Sequence, residues 1–165
     1  MFNSAFDGLT GNTDDYYPEP LRERIDAINA RVYDDINNGV YKAGFATTQE
    51  AYEGAFDKLF DALDWVEGLL GETAYLTGDT ITEADWRLFT TLVRFDAVYF
   101  GHFKCNIRPL SAYDNISHYL RGLYHYPGIR ETVRFDHIKT HYYWSHITIN
   151  PTRVVPKGPE LEFLK

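Results

Sequence analysis

Positions 78–86 read Gly-Asp-Thr-Ile-Thr-Glu-Ala-Asp-Trp, and they contain the clearest helix start in the sequence. Thr82 and Asp85 have the spacing of a capping box, in which each side chain accepts a hydrogen bond from the backbone N–H of the other residue at a helix N-terminus. An apolar run follows over 88–103. The stretch therefore predicts a long helix that begins after Thr82 and stops before Pro109.

A second apolar stripe lies upstream of this helix. From Tyr52 to Leu70 the apolar residues recur at steps of four, three, four, three and four, so one face of a helix is apolar. Thr47 and Glu50 are spaced as a capping box, and Gly71 marks the end. These signals predict a helix with Thr47 as its N-cap.

Weaker patterns predict the remaining helices. One is expected from about Pro20 to Asn38, with Asn38-Gly39 as its C-terminal stop, because glycine adopts the left-handed backbone conformation without steric cost. Two more are expected at about 113–125 and 129–144.

The two ends of the chain read differently. Phe2, Ala5 and Phe6 have helical spacing with no cap before them, which predicts the end of a helix whose beginning is missing. Residues 145–165 contain three prolines and are expected to form an irregular tail, either packed on the bundle or free. The whole chain, 1–165, is predicted to be a single all-α domain, a bundle of five to seven helices.

The composition excludes several classes of protein. A hydrophobic content of 44% is too high for a disordered chain, and no apolar run reaches the ~20 residues of a membrane span. The net charge of −8 disfavours nucleic acid as a partner. We therefore expect a cytoplasmic protein that binds neither a membrane nor nucleic acid. Residues 1–85 carry 18 acids and 5 bases, whereas 86–165 carry 6 acids and 11 bases. The basic C-terminal part favours an anionic ligand or an acidic partner surface, and the alternative is that the chain has one acidic, solvated face.

Tyrosine is the most abundant aromatic residue, with 13 copies. Tyr41 lies between two predicted helices, Tyr99 lies towards the end of the helix that follows Thr82, and Tyr142 lies in the last helix. Tyrosine combines an apolar ring with a hydroxyl, which suits a half-polar pocket. The three meet above one cleft on one interpretation; on the other, Tyr41 anchors a plain connection and Tyr99 is an ordinary core residue.

Other chemistry-bearing residues give weak signals. His137 and His141 are spaced one helical turn apart and His146 follows, but no third metal ligand is evident, so no metal site is predicted. Cys105 is the only cysteine. It follows the predicted end of a helix, whereas reactive thiols favour helix N-termini, so a buried structural thiol is expected.

Longer segments carry a resemblance to a known family. The helix start over 78–85 resembles that of the all-α C-terminal domain of glutathione transferases. From about Met1 to Pro159 the chain resembles the glutathionyl-hydroquinone reductases, also called xi-class or omega-like glutathione transferases. The segments that carry this resemblance are NNGVYKAGFATTQ (37–49), RLF (87–89), RFD (94–96), HFKCN (102–106), HIK (137–139), HYY (141–143) and INP (149–151).

The resemblance implies a glutathione-dependent reaction. Members of the family reduce S-glutathionyl-hydroquinones with a cysteine thiolate of an N-terminal thioredoxin-like domain, and glutathione is the co-substrate. By resemblance Tyr41 corresponds to the proton donor and acceptor, and Tyr99 and Tyr142 to tyrosines that lower the pKa of that cysteine. Cys105 corresponds to a cysteine of the helical domain and not to the nucleophile.

The chain departs from the family in one respect. The thioredoxin-like domain and its nucleophile are absent from the 165 residues, so we expect the chain to be inactive alone and to bind no cofactor. A hydroquinone-type substrate, a separate thioredoxin-like domain and a homodimeric partner are the implied contacts. Two alternatives stay open: a non-catalytic module that binds aromatic ligands, and a dimerisation module of the glutathione transferase type.

Overall fold

Helices dominate the part of the chain that the computed structural model describes, residues 3–165. None of these residues belongs to a β-strand, although an isolated bridge pairs Tyr75 with Gly78. None of the helices within 3–165 is long and apolar enough to cross a membrane. The all-α prediction is confirmed. The α-helices are α1 (Asp7–Thr10), α2 (Arg22–Arg31), α3 (Gly39–Gly44), α4 (Gln49–Leu70), α5 (Glu83–Arg94), α6 (Phe100–His102), α7 (Asp114–Tyr124) and α8 (Phe135–Ser145).

Two π-helical turns connect consecutive helices. Val32–Asn37 continues α2, and Phe95–Tyr99 joins α5 to α6. Counted with these turns, the segments of ten or more residues within 3–165 are 22–37, 49–70, 83–102, 114–124 and 135–145, which agrees with the predicted number of helices.

The helix starts follow local capping chemistry. At α5 the predicted capping box is present, and the Thr82 N–H donates to Asp85 Oδ2 at 2.7 Å. At α4 the prediction is wrong by one residue: Thr48 is the N-cap, and its hydroxyl accepts from the Ala51 N–H at 3.2 Å. Thr48 has the extended backbone that an N-cap requires, so the box predicted from Thr47 does not form.

The predicted stop at Asn38-Gly39 is also wrong. The Asn38 N–H donates to the Tyr33 carbonyl at 2.9 Å, and the Lys42 N–H donates to the Asn38 carbonyl at 2.8 Å, so hydrogen bonding continues into α3. Packing explains the difference, because α3 lies against α4 and buries Val40. Tyr41 therefore lies on a helix and not in a loop.

The later helices match the predictions with one shift. The helix expected at 113–125 is α7, whereas the one expected from 129 begins only at Phe135, after a 3₁₀ turn at Arg130–Thr132 and two extended residues. Val133 has an extended backbone conformation, which ends the 3₁₀ turn before α8 starts.

The chain ends differ from one another in packing. The helix end predicted over 1–9 falls partly outside the described residues, because it includes Phe2; within them α1 begins at Asp7, after Ala5 and Phe6. Residues 146–161 contain no helix, and a 3₁₀ turn follows at Glu162–Leu164. Phe163 in that turn is 6% exposed, so the end of the chain packs on the bundle.

Candidate functional site: three tyrosines at one cleft

The three candidate tyrosines meet at one point. The Tyr142 hydroxyl, on α8, lies 2.5 Å from the Tyr41 hydroxyl on α3 and 2.9 Å from the Tyr99 hydroxyl at the end of the second π-helical turn. Tyr41 and Tyr142 are 101 residues apart in sequence, so only the tertiary fold joins them. The structure thus brings all three residues together, with Tyr142 in the centre.

Aromatic packing holds the rings in place. The Tyr99 ring stacks on the Phe103 ring with centroids 5.5 Å apart, and Tyr41 meets the same Phe103 ring edge-on at 5.5 Å. Gly44, at the end of α3, permits this approach: a Cβ there would lie 2.2 Å from the Phe103 ring. The Phe103 ring also meets the Tyr142 ring edge-on at 5.9 Å, so it packs against all three phenols and orients them.

The hydroxyl chain always keeps one proton for a ligand. Each phenol carries one O–H, so the three hydroxyls hold three protons. Two of these are used in the bonds from Tyr142 to its neighbours Tyr41 and Tyr99. Whichever hydroxyl donates in each bond, one O–H remains to donate to a group outside the three tyrosines. The cluster is a hydrogen-bond donor for an anion or a polar ring substituent.

Burial keeps the inner phenols neutral. Burial and the hydrogen bond with Tyr41 together raise the pKa of Tyr142 to about 12, although the hydrogen bond with Tyr99 and the Arg94 guanidinium act in the opposite direction. Burial also raises the pKa of Tyr99, and Tyr142 contributes to that rise. Both residues therefore hold their protons at neutral pH and are available as donors.

This rise makes the stability of the domain dependent on alkaline pH. A phenol whose pKa is higher in the folded state than at its ordinary value of 10 stabilises the fold fully below pH 10. That contribution disappears as the pH rises through 12, and for Tyr142 it amounts to about 2–3 kcal/mol. We expect the free energy of unfolding to fall more steeply between pH 9.5 and 11.5 in the wild type than in Tyr142→Phe. Urea denaturation at a series of pH values measures this.

Tyr33→Phe is the matched control, because Tyr33 is 60% exposed and lies outside the cleft. It should leave the steep slope of the wild type unchanged. Equal slopes in the wild type and Tyr142→Phe would contradict the assignment.

The hydroxyls open onto a cleft of about 350 Å³. Tyr41 is 38% exposed and stands at its mouth, whereas Tyr99 and Tyr142 are buried. A polar wall faces them, where the Thr91 hydroxyl donates to Asn37 Oδ1 at 3.1 Å. The residues that line the cleft are Asn37, Asn38, Tyr41, Thr90, Thr91, Arg94, Tyr99 and Tyr142.

The sequence prediction missed part of this lining. Thr90 and Arg94 are one helical turn apart on α5 and share a face, and that spacing was the available signal. Asn37 ends the first π-helical turn, so its direction depends on a register that periodicity does not reveal.

The candidate histidines do not line this cleft, although the rings of His141 and His146 lie 5.2 and 5.4 Å from the Tyr142 ring. His137 lies 3.7 Å from Asp136, and His141 and His146 have ring centroids 6.0 Å apart. His146 Nδ1 is 3.1 Å from Nε2 of His102, and burial lowers the pKa of His102 to about 4. Across residues 3–165 no group of three or more His, Cys, Asp or Glu side chains is arranged to hold a metal ion.

Cys105 is buried, as expected, and its backbone N–H donates to the Tyr99 carbonyl at 3.0 Å. Burial raises the pKa of the thiol to about 12, so it is protonated at neutral pH. Since the thiolate is the nucleophilic form, Cys105 is poorly suited to attack a substrate.

Comparison with known proteins accounts for the helical architecture. Residues 49–122 match the family model of the glutathione S-transferase C-terminal domain. This segment belongs to that domain family. It includes α4, α5, α6 and most of α7.

Full-length relatives extend the match beyond that region. The glutathionyl-hydroquinone reductase YqjG of Escherichia coli K12 is 56% identical over 159 residues, which cover 96% of this chain and 48% of YqjG. The glutathionyl-hydroquinone reductase PcpF of Sphingobium chlorophenolicum is 55% identical, over 96% of this chain and 51% of PcpF. The chain thus spans about half the length of the curated relatives it matches.

Solved structures agree with the sequence comparison. The glutathione-bound structure of E. coli YqjG superposes with a TM-score of 0.97 at 54% identity, over 100% of this chain and 54% of that one. A xi-class glutathione transferase from Natrialba magadii gives a TM-score of 0.97 at 50% identity, over 100% of this chain and 50% of that one. The fold of this domain is therefore that of the helical half of xi-class enzymes.

Proposed function

We propose that this domain forms the hydroquinone pocket of a glutathionyl-hydroquinone reductase. The observation that carries the proposal is the chain of three tyrosine hydroxyls, Tyr41–Tyr142–Tyr99, at one cleft. The strong similarity to YqjG and PcpF supports it. In this function the protein reduces S-glutathionyl-hydroquinones with glutathione as co-substrate and no bound cofactor.

The proposed reaction transfers a thiol group. A cysteine thiolate outside these 165 residues attacks the sulfur of the glutathionyl-hydroquinone, an S–S bond forms, and the bond from that sulfur to the ring carbon breaks. The ring carbon takes the electron pair and a proton, which releases the hydroquinone. A second glutathione then attacks the mixed disulfide, releasing oxidised glutathione and restoring the cysteine.

The tyrosines have distinct roles in this proposal. Tyr41, partly exposed at the mouth of the cleft, exchanges the proton with the aromatic leaving group. Tyr99 and Tyr142 lower the pKa of the thiolate as a pair: one of them donates the free O–H to it, and the other supports this donor through the hydrogen bond between them, which favours the charged form. Their own raised pKa values suit this role, because a neutral phenol donates where a phenolate would repel.

The proposal also includes partners and compartment. A thioredoxin-like domain supplies the nucleophile, because the thiol of Cys105 is buried and protonated. The whole protein acts in the cytoplasm as a homodimer. The 165-residue chain alone binds hydroquinones but has no useful turnover.

A turnover assay with a glutathionyl-hydroquinone tests the proposal. We expect the isolated chain to show only the rate of the buffer, and a fusion to the N-terminal half of E. coli YqjG to gain turnover. In that fusion Tyr41→Phe should lower kcat by about 100-fold, as for loss of a general acid. Tyr33→Phe, the exposed control, should retain the activity of the fusion.

Three outcomes would contradict parts of this picture. Substantial turnover by the isolated chain would mean that Cys105 acts as the nucleophile. Hydroquinone binding without turnover in a folded fusion would favour the module that binds aromatic ligands. A dimer that binds no hydroquinone would favour the dimerisation module.

A further inference from the structure

A second cavity adjoins the tyrosine cleft. It has a volume of about 320 Å³ and shares Thr90 and Arg94 with the cleft. Its floor is apolar, since Phe89 and Val93 on α5 are almost fully buried there. The residues that line it are Phe89, Thr90, Val93, Arg94, Thr132, Val133, Arg134, His137 and Ile138.

Arg94 stands at the junction of the two spaces. Its side chain donates to the Thr90 carbonyl one turn earlier on α5. Within residues 3–165 it forms no ion pair, whereas Arg31, Arg87 and Arg108 each pair with a carboxylate. A guanidinium has five N–H donors, so most of those on Arg94 remain for a ligand.

Arg134 adds a second guanidinium beside the apolar floor. Arg134 and His137 line the second cavity, and Asp136 offsets the charge of Arg134 by pairing with it at 3.1 Å. Among the residues from 3 to 165, no carboxylate lines either space. An apolar floor with a half-buried guanidinium fits an aromatic ring that bears a carboxylate. Guanidinium and carboxylate groups have matching geometry and pair through two hydrogen bonds.

We propose that the cleft and the second cavity form one binding site and that Arg94 selects aromatic substrates bearing a ring carboxylate. This inference rests on the proposed function, since the hydroquinone hydroxyls would lie against the tyrosines while the carboxylate reaches Arg94. The effect of Arg94 on the pKa of Tyr142 is consistent with its position beside the hydroxyl chain. Arg94 is then a determinant of substrate specificity.

Anaerobic calorimetric titration of the 165-residue chain tests this inference with two probes. 2,5-Dihydroxybenzoate and its methyl ester share the hydroquinone ring and differ in the charge of one substituent. We expect the acid to bind about tenfold more tightly than the ester, as for a charge-assisted pair. Added salt should weaken binding of the acid only.

Variants of Arg94 complete the design. Arg94→Gln should lower the affinity for the acid about tenfold and leave that for the ester within about twofold, and Arg94→Lys should recover part of the loss. Arg87→Gln is the matched control on the same helix, because Arg87 pairs with Glu83 and lines neither space. Circular dichroism establishes that each variant is folded.

The outcomes separate the two proposals. Binding of neither probe by the folded wild type would overturn the proposed function and this inference with it. Equal binding of both probes, unaffected by Arg94→Gln, would overturn only the inference. The inference would also be overturned if Arg94→Gln weakened the binding of glutathione and of neither probe. The carboxylate that Arg94 binds would then belong to the peptide and not to the aromatic ring.

Discussion

Replacing Gly44 with alanine should lower the free energy of unfolding by about 3 kcal/mol, the upper part of the usual cost of overpacking a core. The new Cβ would lie 2.2–2.7 Å from three atoms of the Phe103 ring. Phe103 is fully buried and contacts both Tyr41 and Tyr99, so its ring has little freedom to move away. Urea denaturation followed by circular dichroism measures the loss.

Gly54→Ala is the matched control for this prediction. Gly54 lies on the exposed face of α4 with no neighbour within 4 Å of a Cβ, so alanine should stabilise the domain by about 0.5–1 kcal/mol. Shortening the wall with Phe103→Leu should reduce the penalty of Gly44→Ala in the double variant. A Gly44→Ala domain as stable as the wild type would show that α3 and Phe103 separate easily.

Asp85→Ala should cost about 3–5 kcal/mol, because it leaves several buried donors without an acceptor. Oδ1 of Asp85 accepts from the Leu76 N–H at 3.0 Å and the Tyr119 hydroxyl at 2.9 Å. Oδ2 accepts from the Thr82 N–H at 2.7 Å and the Thr82 hydroxyl at 3.1 Å. Asp85 thus joins the start of α5 to the preceding loop and to α7.

The same denaturation experiment distinguishes the chemistry at Asp85. Asp85→Asn preserves the shape and one acceptor oxygen, so it should cost less than Asp85→Ala. Asp57→Ala, on the exposed face of α4, should change the stability by no more than about 0.5 kcal/mol. A loss below 1 kcal/mol for Asp85→Ala would mean that water replaces the carboxylate.

Local chemistry explains which parts of the fold were predictable. The start of α5 depends on Thr82 and Asp85, three residues apart, and the sequence contains everything that capping needs. The Asn38-Gly39 stop failed because burial of Val40 against α4 outweighs the local preference of glycine for a helix end. Packing between distant segments is not visible in a local pattern.

The candidate site likewise contains residues that the sequence predicts and residues that it does not. Tyr41, Tyr99 and Tyr142 were recognisable as candidates, but their hydroxyl contacts depend on three helices that meet in space. Asn37 and Arg94 have no distinguishing local signal beyond helical spacing, and their place in the cleft follows from the fold. Their identification needed the structure.

The two π-helical turns make the site sensitive to insertions and deletions. Val32–Asn37 precedes Tyr41, and Phe95–Tyr99 ends on Tyr99, so each turn lies just before or at a cleft residue. A π-turn holds one more residue than an α-turn, and losing that residue would rotate everything after it by about 100°. The position of each cleft residue after a π-turn therefore depends on the exact number of residues in that turn.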